Sequence, residues 1–276
     1  MKVSVLVENT KKDNCLACEH GLSLFIEYKD KAYLIDAGST DIFMENARDM
    51  DLCLDKVKTC FLSHGHYDHS GGFYTFLKKH KDCTLYCMDS VFDAYYSGSN
   101  DHIHYIGVPE SLYALKDRMI MISKDIEIEE SIYCICHHSH NLKEIGLSKK
   151  LYRLEDGEYK PDDFSHEMSV VFKSEKGLIV VNSCCHAGII NVIKEVQDTL
   201  KEPIYAFIGG LHMKGKKNGK EICTFHEEEI NELASFINNN HIHIYTGHCT
   251  GEIGYNLLKE KVESIHTLYT GKVFEL

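Results

Sequence analysis

The segment His64-Gly65-His66-Tyr67-Asp68-His69 places three imidazoles and a carboxylate within six residues. Nitrogen and oxygen donors of this kind suit zinc, iron or manganese. His64 and His66 are two apart, so an extended backbone turns both rings to one side, where they can share one metal ion. Gly65 lets the chain bend between them. Ser70-Gly71-Gly72 starts a helix that redirects Asp68 and His69 toward a neighbouring position for a second ion. Two such ions about 3.5–4 Å apart clamp a bridging hydroxide. The bland alternative is chance, because the chain contains 18 histidines. Context argues for chemistry: the run follows an apolar strand read at 59–62 and precedes a helix start, the strand-end position where ligands gather in α/β folds.

Further ligands are needed. His186 follows the apolar run 178–185 and His248 follows 244–247, each ahead of a helix, so one is assigned to each metal. A lone histidine is ordinarily a core or surface residue, but two at equivalent strand ends call for another explanation. His212, in Gly209-Gly210-Leu211-His212 after a strand at 204–208, is the expected proton donor to a leaving group or a substrate contact. His20, Gly210 and the helix start at Thr250-Gly251 are candidates for holding a phosphate, the last because free N–H groups face outward there. The histidines at 102 and 104, at 137, 138 and 140, and at 241 and 243 have no strand-end partner and read as solvated. Cys15-x-x-Cys18 has redox or zinc-site spacing but no matching second pair, so its cysteines read as ordinary small buried residues.

The elements that must position these groups follow from periodicity. Strands are read at 3–7, 22–28, 32–35, 59–62 and 84–87, with helices at 41–49 and from Phe73, whose apolar face is Phe73, Phe76 and Leu77. Residues 89–125 read as a capping insertion, with a loop at Ser97-Gly98-Ser99-Asn100. The second half follows the same pattern, with strands at 132–136, 168–172, 178–182, 204–208, 243–245 and 272–274, helices at 189–199, 225–238 and 252–259, and a Gly/Lys loop at 214–220. Strand clusters followed by helices imply an α/β or α+β fold.

With 276 residues, 43% hydrophobic and 26% charged, the chain can bury one large core and is read as a single domain over 1–276. A net charge of −12 disfavours nucleic acid or an anionic membrane as partner, while a metal pair would make the pocket locally positive. The first residues are too short and too poor in basic flanks for a signal peptide, and no apolar run spans a membrane. Cytoplasmic placement is expected, with the twelve cysteines reduced.

Taken with Ser183 to Ile189 and Thr246 to Gly251, the histidine run resembles the metallo-β-lactamase superfamily. Within it the chain is similar to the group of 7,8-dihydropterin-6-methyl-4-(β-D-ribofuranosyl)aminobenzene-5′-phosphate synthase-like hydrolases. The likeness runs through Glu19-His20-Gly21-Leu22-Ser23, Asp36-Ala37-Gly38, Asn46-Ala47, 63–72, Lys176-Gly177-Leu178, 183–189, Gly209-Gly210-Leu211-His212 and 246–251. It implies a four-layer αββα sandwich. It also implies two divalent ions, zinc first with iron or manganese as alternatives: His64, His66 and His186 would bind one, and Asp68, His69 and His248 the other. Asp36 would support the histidine loop by accepting an N–H from a ligand imidazole. Where many members carry a bridging aspartate, this chain offers Cys184 and Cys185, and a thiolate bridge or an open bridge position follows; Glu167 is a candidate compensating ligand.

The implied activity is hydrolysis by a metal-bound hydroxide, with Asp68 and His212 as catalytic residues, on a phosphoester or phosphodiester of a small metabolite. Two other classes stay open: an iron-dependent oxidoreductase or dioxygenase on the same scaffold, and a non-catalytic ligand-binding protein.

Overall fold

The computed structural model describes residues 1–99 and 102–276. They form two compact units: Met1–Ile126, Cys136–Met168 and Tyr269–Leu276 make the first, and Glu127–Ile135 with Ser169–Leu268 the second.

The first unit is built on a seven-stranded sheet in the spatial order Val273–Glu275, Lys2–Val7, Ser23–Tyr28, Lys31–Ile35, Val57–Phe61, Thr84–Met88, Met119–Ile122. Its early strands form an antiparallel meander, and from Lys31–Ile35 onward each neighbour is parallel. Parallel strands are covered on both faces and so read as apolar runs; Cys60, Phe61, Leu62, Leu85 and Cys87 are all fully buried. Helix Ile42–Asp49 turns Phe43, Asn46 and Ala47 inward, the spacing of one helix face. Asn46 is bonded at both ends of its amide. Its Nδ2 donates to the carbonyls of Leu6 and Ala17, each at 2.7 Å, and its Oδ1 accepts from the Ala17 N–H at 2.9 Å. One side chain thereby ties the helix to the first strand and to the segment leading to His20. A second, four-stranded sheet runs Glu158–Pro161, Leu151–Glu155, Tyr95–Ser99, His102–Tyr105.

The other unit has a seven-stranded sheet ordered Ile265–Thr267, His243–Thr246, Ile204–Ile208, Gly177–Val181, Met168–Ser174, Ile132–Cys136, Ile126–Glu129. The first four are mutually parallel, and Met168–Ser174 meets Gly177–Val181 as an antiparallel hairpin. Helix Ile189–Leu200 buries Ile189, Val192, Ile193 and Val196, an i, i+3, i+4, i+7 stripe. In both units the chemistry-bearing loops leave the carboxyl ends of parallel strands, where backbone direction changes and side chains are exposed to a ligand. Val57–Phe61 leads to His64, Gly177–Val181 to Cys184 and His186, Ile204–Ile208 to His212, and His243–Thr246 to His248.

The strands expected at 132–136 and 204–208 coincide with those observed, and the mixed α/β class holds. Three local expectations need correction. The stretch 214–220 is a β-hairpin, Lys214–Lys217 paired with Lys220–Cys223. Asn218 and Gly219 supply its turn, with φ of 52° and 76°, values that Asn and Gly tolerate best. Ser97, Gly98 and Ser99 belong to strand Tyr95–Ser99, paired on one side with His102–Tyr105 and on the other with Leu151–Glu155; Asn100 lies outside the described residues. Cys15 is exposed and Cys18 half-buried, so neither is a core residue. Helix Leu142–Lys149 and the strands Leu151–Glu155 and Glu158–Pro161 that follow it had no counterpart in the periodicity reading. Among the described residues no helix is long and apolar enough to cross a membrane.

Replacing Asn46 by alanine leaves the buried Leu6 carbonyl and the half-buried Ala17 carbonyl and N–H without their partner. A stability loss of about 2–4 kcal/mol is expected from urea unfolding; an unchanged midpoint would show that these bonds do not hold the helix in place.

Candidate metal centre

In the first unit, His64, His66, Asp68 and His69 gather at the end of Val57–Phe61, with both His64 and His69 fully buried. The His64 ring lies 4.6 Å from His66 and 4.2 Å from His69, centroid to centroid. His69 Nε2 is 3.6 Å from Asp68 Oδ2. His66 caps the short helix Tyr67–Ser70, whose turn carries Asp68 and His69 round to His64. That helix packs tightly on the loop after Asp36: a Cβ on Gly71 would stand 1.9 Å from the Ser39 carbonyl oxygen, so only glycine fits.

Asp36 organises the donors. Its Oδ1 accepts the Ser63 N–H at 2.8 Å, and its Oδ2 accepts the Ser63 hydroxyl at 2.7 Å and His69 Nδ1 at 2.8 Å. Because the Ser63 proton goes to the carboxylate, the contact of 2.8 Å between Ser63 Oγ and His64 Nδ1 has the imidazole as donor. Both rings therefore carry their proton on Nδ1 and their lone pair on Nε2, the tautomer a metal ligand requires. His66 is held neutral too: burial, reinforced by the nearby His166, lowers it to about 3. Neutral imidazoles and a carboxylate at these separations fit a divalent cation.

A buried pair, His166 and Asp162, of which the sequence reading missed Asp162, holds the loop from behind. The Gly65 N–H donates to His166 Nδ1 at 2.9 Å, and His166 Nε2 donates to Asp162 Oδ2 at 3.0 Å. Burial opposes charge on Asp162, but the His166 beside it and the Phe164 N–H outweigh this and hold the carboxyl below its usual range. Glu167 is fully buried, directly before Met168, whose N–H bonds the Ser63 carbonyl at 2.9 Å. His20 is exposed, with Nε2 3.2 Å from Asp68 Oδ2.

The second unit has its own donors. Cys184, His186 and His212 have ligand atoms within 4.8 Å of one another, as do Cys184, His248 and Cys249. The half-buried His212 stacks obliquely on His186, centroids 4.6 Å apart. Cys185 is turned differently: its N–H bonds Asn182 Oδ1 at 2.7 Å in a left-handed backbone, φ 53°. Thr250 is buried, and its hydroxyl accepts the Leu211 N–H at 2.9 Å and meets Thr246 Oγ1 at 2.5 Å, so its side chain ties down the 209–212 loop. Gly210 lies against Cys249, where a Cβ would come within 2.3 Å of Sγ. Burial would raise the Cys249 thiol, but hydrogen bonds with Cys184 and His212 and the proximity of His248 hold it well below its ordinary value. Cys249 escaped the sequence reading because it sits beside a histidine that drew the attention; only the strand-end position of the whole run 246–251 pointed to it.

Of the histidines read as solvated, those at 102, 104, 138, 140 and 241 are exposed, and His243 is half-buried against Tyr205. His137 is buried at 3% exposure; it lines a cavity of ≈ 250 Å³ with His138, His140, Lys143 and Asp163.

Two predictions follow from the supporting carboxylates. Asp36→Ala removes the acceptor for Ser63 and His69, and zinc titration calorimetry is expected to show affinity lowered by about 10–100-fold. Asp162, lowered in the fold, contributes stability that is complete above its unfolded value of 3.8 and is lost as pH falls through the folded value. Asp162→Asn should therefore flatten the decline of stability below about pH 4 in urea titrations; an acid limb as steep as in the wild type would refute this.

Residues 16–141 match the family model described as the metallo-beta-lactamase superfamily. The chain is similar to 7,8-dihydropterin-6-methyl-4-(beta-D-ribofuranosyl)-aminobenzene-5'-phosphate synthase of Methanocaldococcus jannaschii, at 26% identity over 93% of this chain and 90% of that protein. A crystal structure described as a metal-dependent hydrolase of the beta-lactamase superfamily superposes with a TM-score of 0.80 at 26% identity, covering 100% of this chain and 99% of the other. A diphosphatase of the PhnP family shares the fold at 13% identity, with a TM-score of 0.55 over 100% of this chain and 97% of that one. The histidine run lies inside the matched segment, so residues 16–141 carry the likeness to the metallo-beta-lactamase superfamily, and the full-length structural likeness extends the same fold across the remainder.

Proposed function

We propose that the protein is a metal-dependent hydrolase acting on a phosphoester or phosphodiester of a small metabolite. The observation that carries this reading is the set His64, His66, Asp68 and His69, with the lone pairs of His64 and His69 directed to Nε2 by Asp36. The ligand assignment is the one the family resemblance implies: His64, His66 and His186 for one ion, and Asp68, His69 and His248 for the other, with zinc as the metal. Divalent ions held there would supply Lewis acidity toward a phosphoryl oxygen and would bring the pKa of a bound water to about 7.

The chain's own groups do the rest. His20 is exposed beside Asp68 and can donate to an anionic oxygen of the substrate. His212, half-buried, holds the proton destined for the leaving-group oxygen. The contact of 3.2 Å between His20 Nε2 and Asp68 Oδ2 anchors that exposed ring beside the carboxylate. A phosphorylated metabolite as substrate is supported by the M. jannaschii relative, whose name specifies a 5'-phosphate product.

His66→Ala and Asp68→Ala are each expected to reduce metal-stimulated hydrolysis of a model phosphodiester to background. Full activity in both variants would overturn the reading. Screening the metal-loaded protein against phosphodiesters, phosphomonoesters, lactones and thioesters identifies the bond it cleaves.

A further inference from the structure

We infer that the second unit carries a thiolate-containing ligand set in which Cys184 and Cys249 bind metal together with His248, and that this set selects a thiophilic ion such as zinc over magnesium or manganese. The inference rests on the proposed function only in requiring a bound divalent ion; the ligands it adds are new to it.

Two donor triads share one atom. Cys184 Sγ lies within 4.8 Å of ligand nitrogens of His186 and His212, and also within 4.8 Å of His248 and of Cys249 Sγ. Zinc bonds to sulfur at about 2.3 Å and to nitrogen at about 2.0–2.1 Å, which sets tetrahedral donors roughly 3.3–3.8 Å apart, so small side-chain rotations close the triad of Cys184, His248 and Cys249. Cys184, His186 and His248 are each at most 3% exposed, which keeps competing water away. Space for the second thiol is built into the backbone, since any side chain at Gly210 would collide with Cys249 Sγ. The same thiol reaches the Cys184 carbonyl at 3.5 Å, so both cysteines belong to one local structure.

The chemistry balances without a redox partner. Each thiol that binds gives its proton to the solvent and forms one sulfur–metal bond. Soft thiolates favour zinc, iron or cobalt, whereas magnesium and manganese prefer oxygen donors. A site with two thiolates therefore discriminates among ions that a purely histidine and carboxylate site would accept more evenly.

The test uses the full chain with Cys15→Ser and Cys18→Ser, which removes the exposed and half-buried pair that could bind cobalt adventitiously. Cobalt(II) loading is expected to produce near-ultraviolet sulfur-to-cobalt charge-transfer absorption, reduced in Cys184→Ser or Cys249→Ser and lost in the double variant. X-ray absorption at the zinc edge of the same protein, with no further substitution, is expected to show sulfur neighbours near about 2.3 Å; this reading stands even where a serine variant fails to fold. Cobalt and zinc bound with nitrogen and oxygen neighbours alone would overturn the thiolate set while leaving the metal-dependent hydrolase intact. Failure to bind either ion would overturn both.

Discussion

The carboxylate of Asp36 lies at the end of strand Lys31–Ile35, fully buried, on a backbone in the left-handed region at φ 57°. A buried carboxylate is tolerated only where its lone pairs are filled, and here a backbone N–H, a hydroxyl and an imidazole fill them. The arrangement works in both directions. The three donors stabilise the charge, and the charge dictates where two imidazoles keep their protons. Without it the rings of His64 and His69 could adopt either tautomer, and metal binding would have to select one from a mixture.

Much else in the first unit serves that carboxylate's surroundings. The Ala37 N–H bonds the His69 carbonyl at 2.8 Å and the Gly71 N–H bonds the Gly38 carbonyl at 2.9 Å, so the Asp36 loop and the histidine helix are stitched backbone to backbone. His166 and Asp162 grip Gly65 on the opposite side of the loop. The ligand run is thus fixed by backbone hydrogen bonds and by two buried carboxylates, Asp36 directly and Asp162 through His166. The second unit reaches a comparable end with other residues: Asn182, Thr250 and Gly210 position a loop cluster in which sulfur takes the place of carboxylate.

Those features that depend on one strand or one short run were legible in the sequence. His64 to His69 announced themselves by type and spacing, and the apolar runs 132–136 and 204–208 by composition. Features that depend on distant segments were not. His166 and Gly65 are 101 residues apart, and nothing in either neighbourhood foretells their bond. Cys249 and Cys184 are brought together by parallel strands whose order cannot be read from periodicity. The hairpin at Lys214–Cys223 was a local signal overlooked: lysine on both arms hid the alternation, although Asn218-Gly219 is a strong turn pair. Helix Leu142–Lys149 has only Leu142 and Gly146 buried, too thin an apolar stripe to register.

Strand Lys2–Val7 lies between Ser23–Tyr28 and Val273–Glu275, so one of its neighbours follows it directly in the chain and the other comes only after the whole second unit. During synthesis the backbone of this apolar strand stays an open sheet edge while all of that unit is translated. An open edge of that kind invites pairing with other nascent chains. Closing it brings together Lys2 with Glu275 and Ser4 with Val273, a long-separation contact that must form late. The order of strands in this sheet therefore makes Val273–Glu275 the strand whose arrival closes the edge of Lys2–Val7.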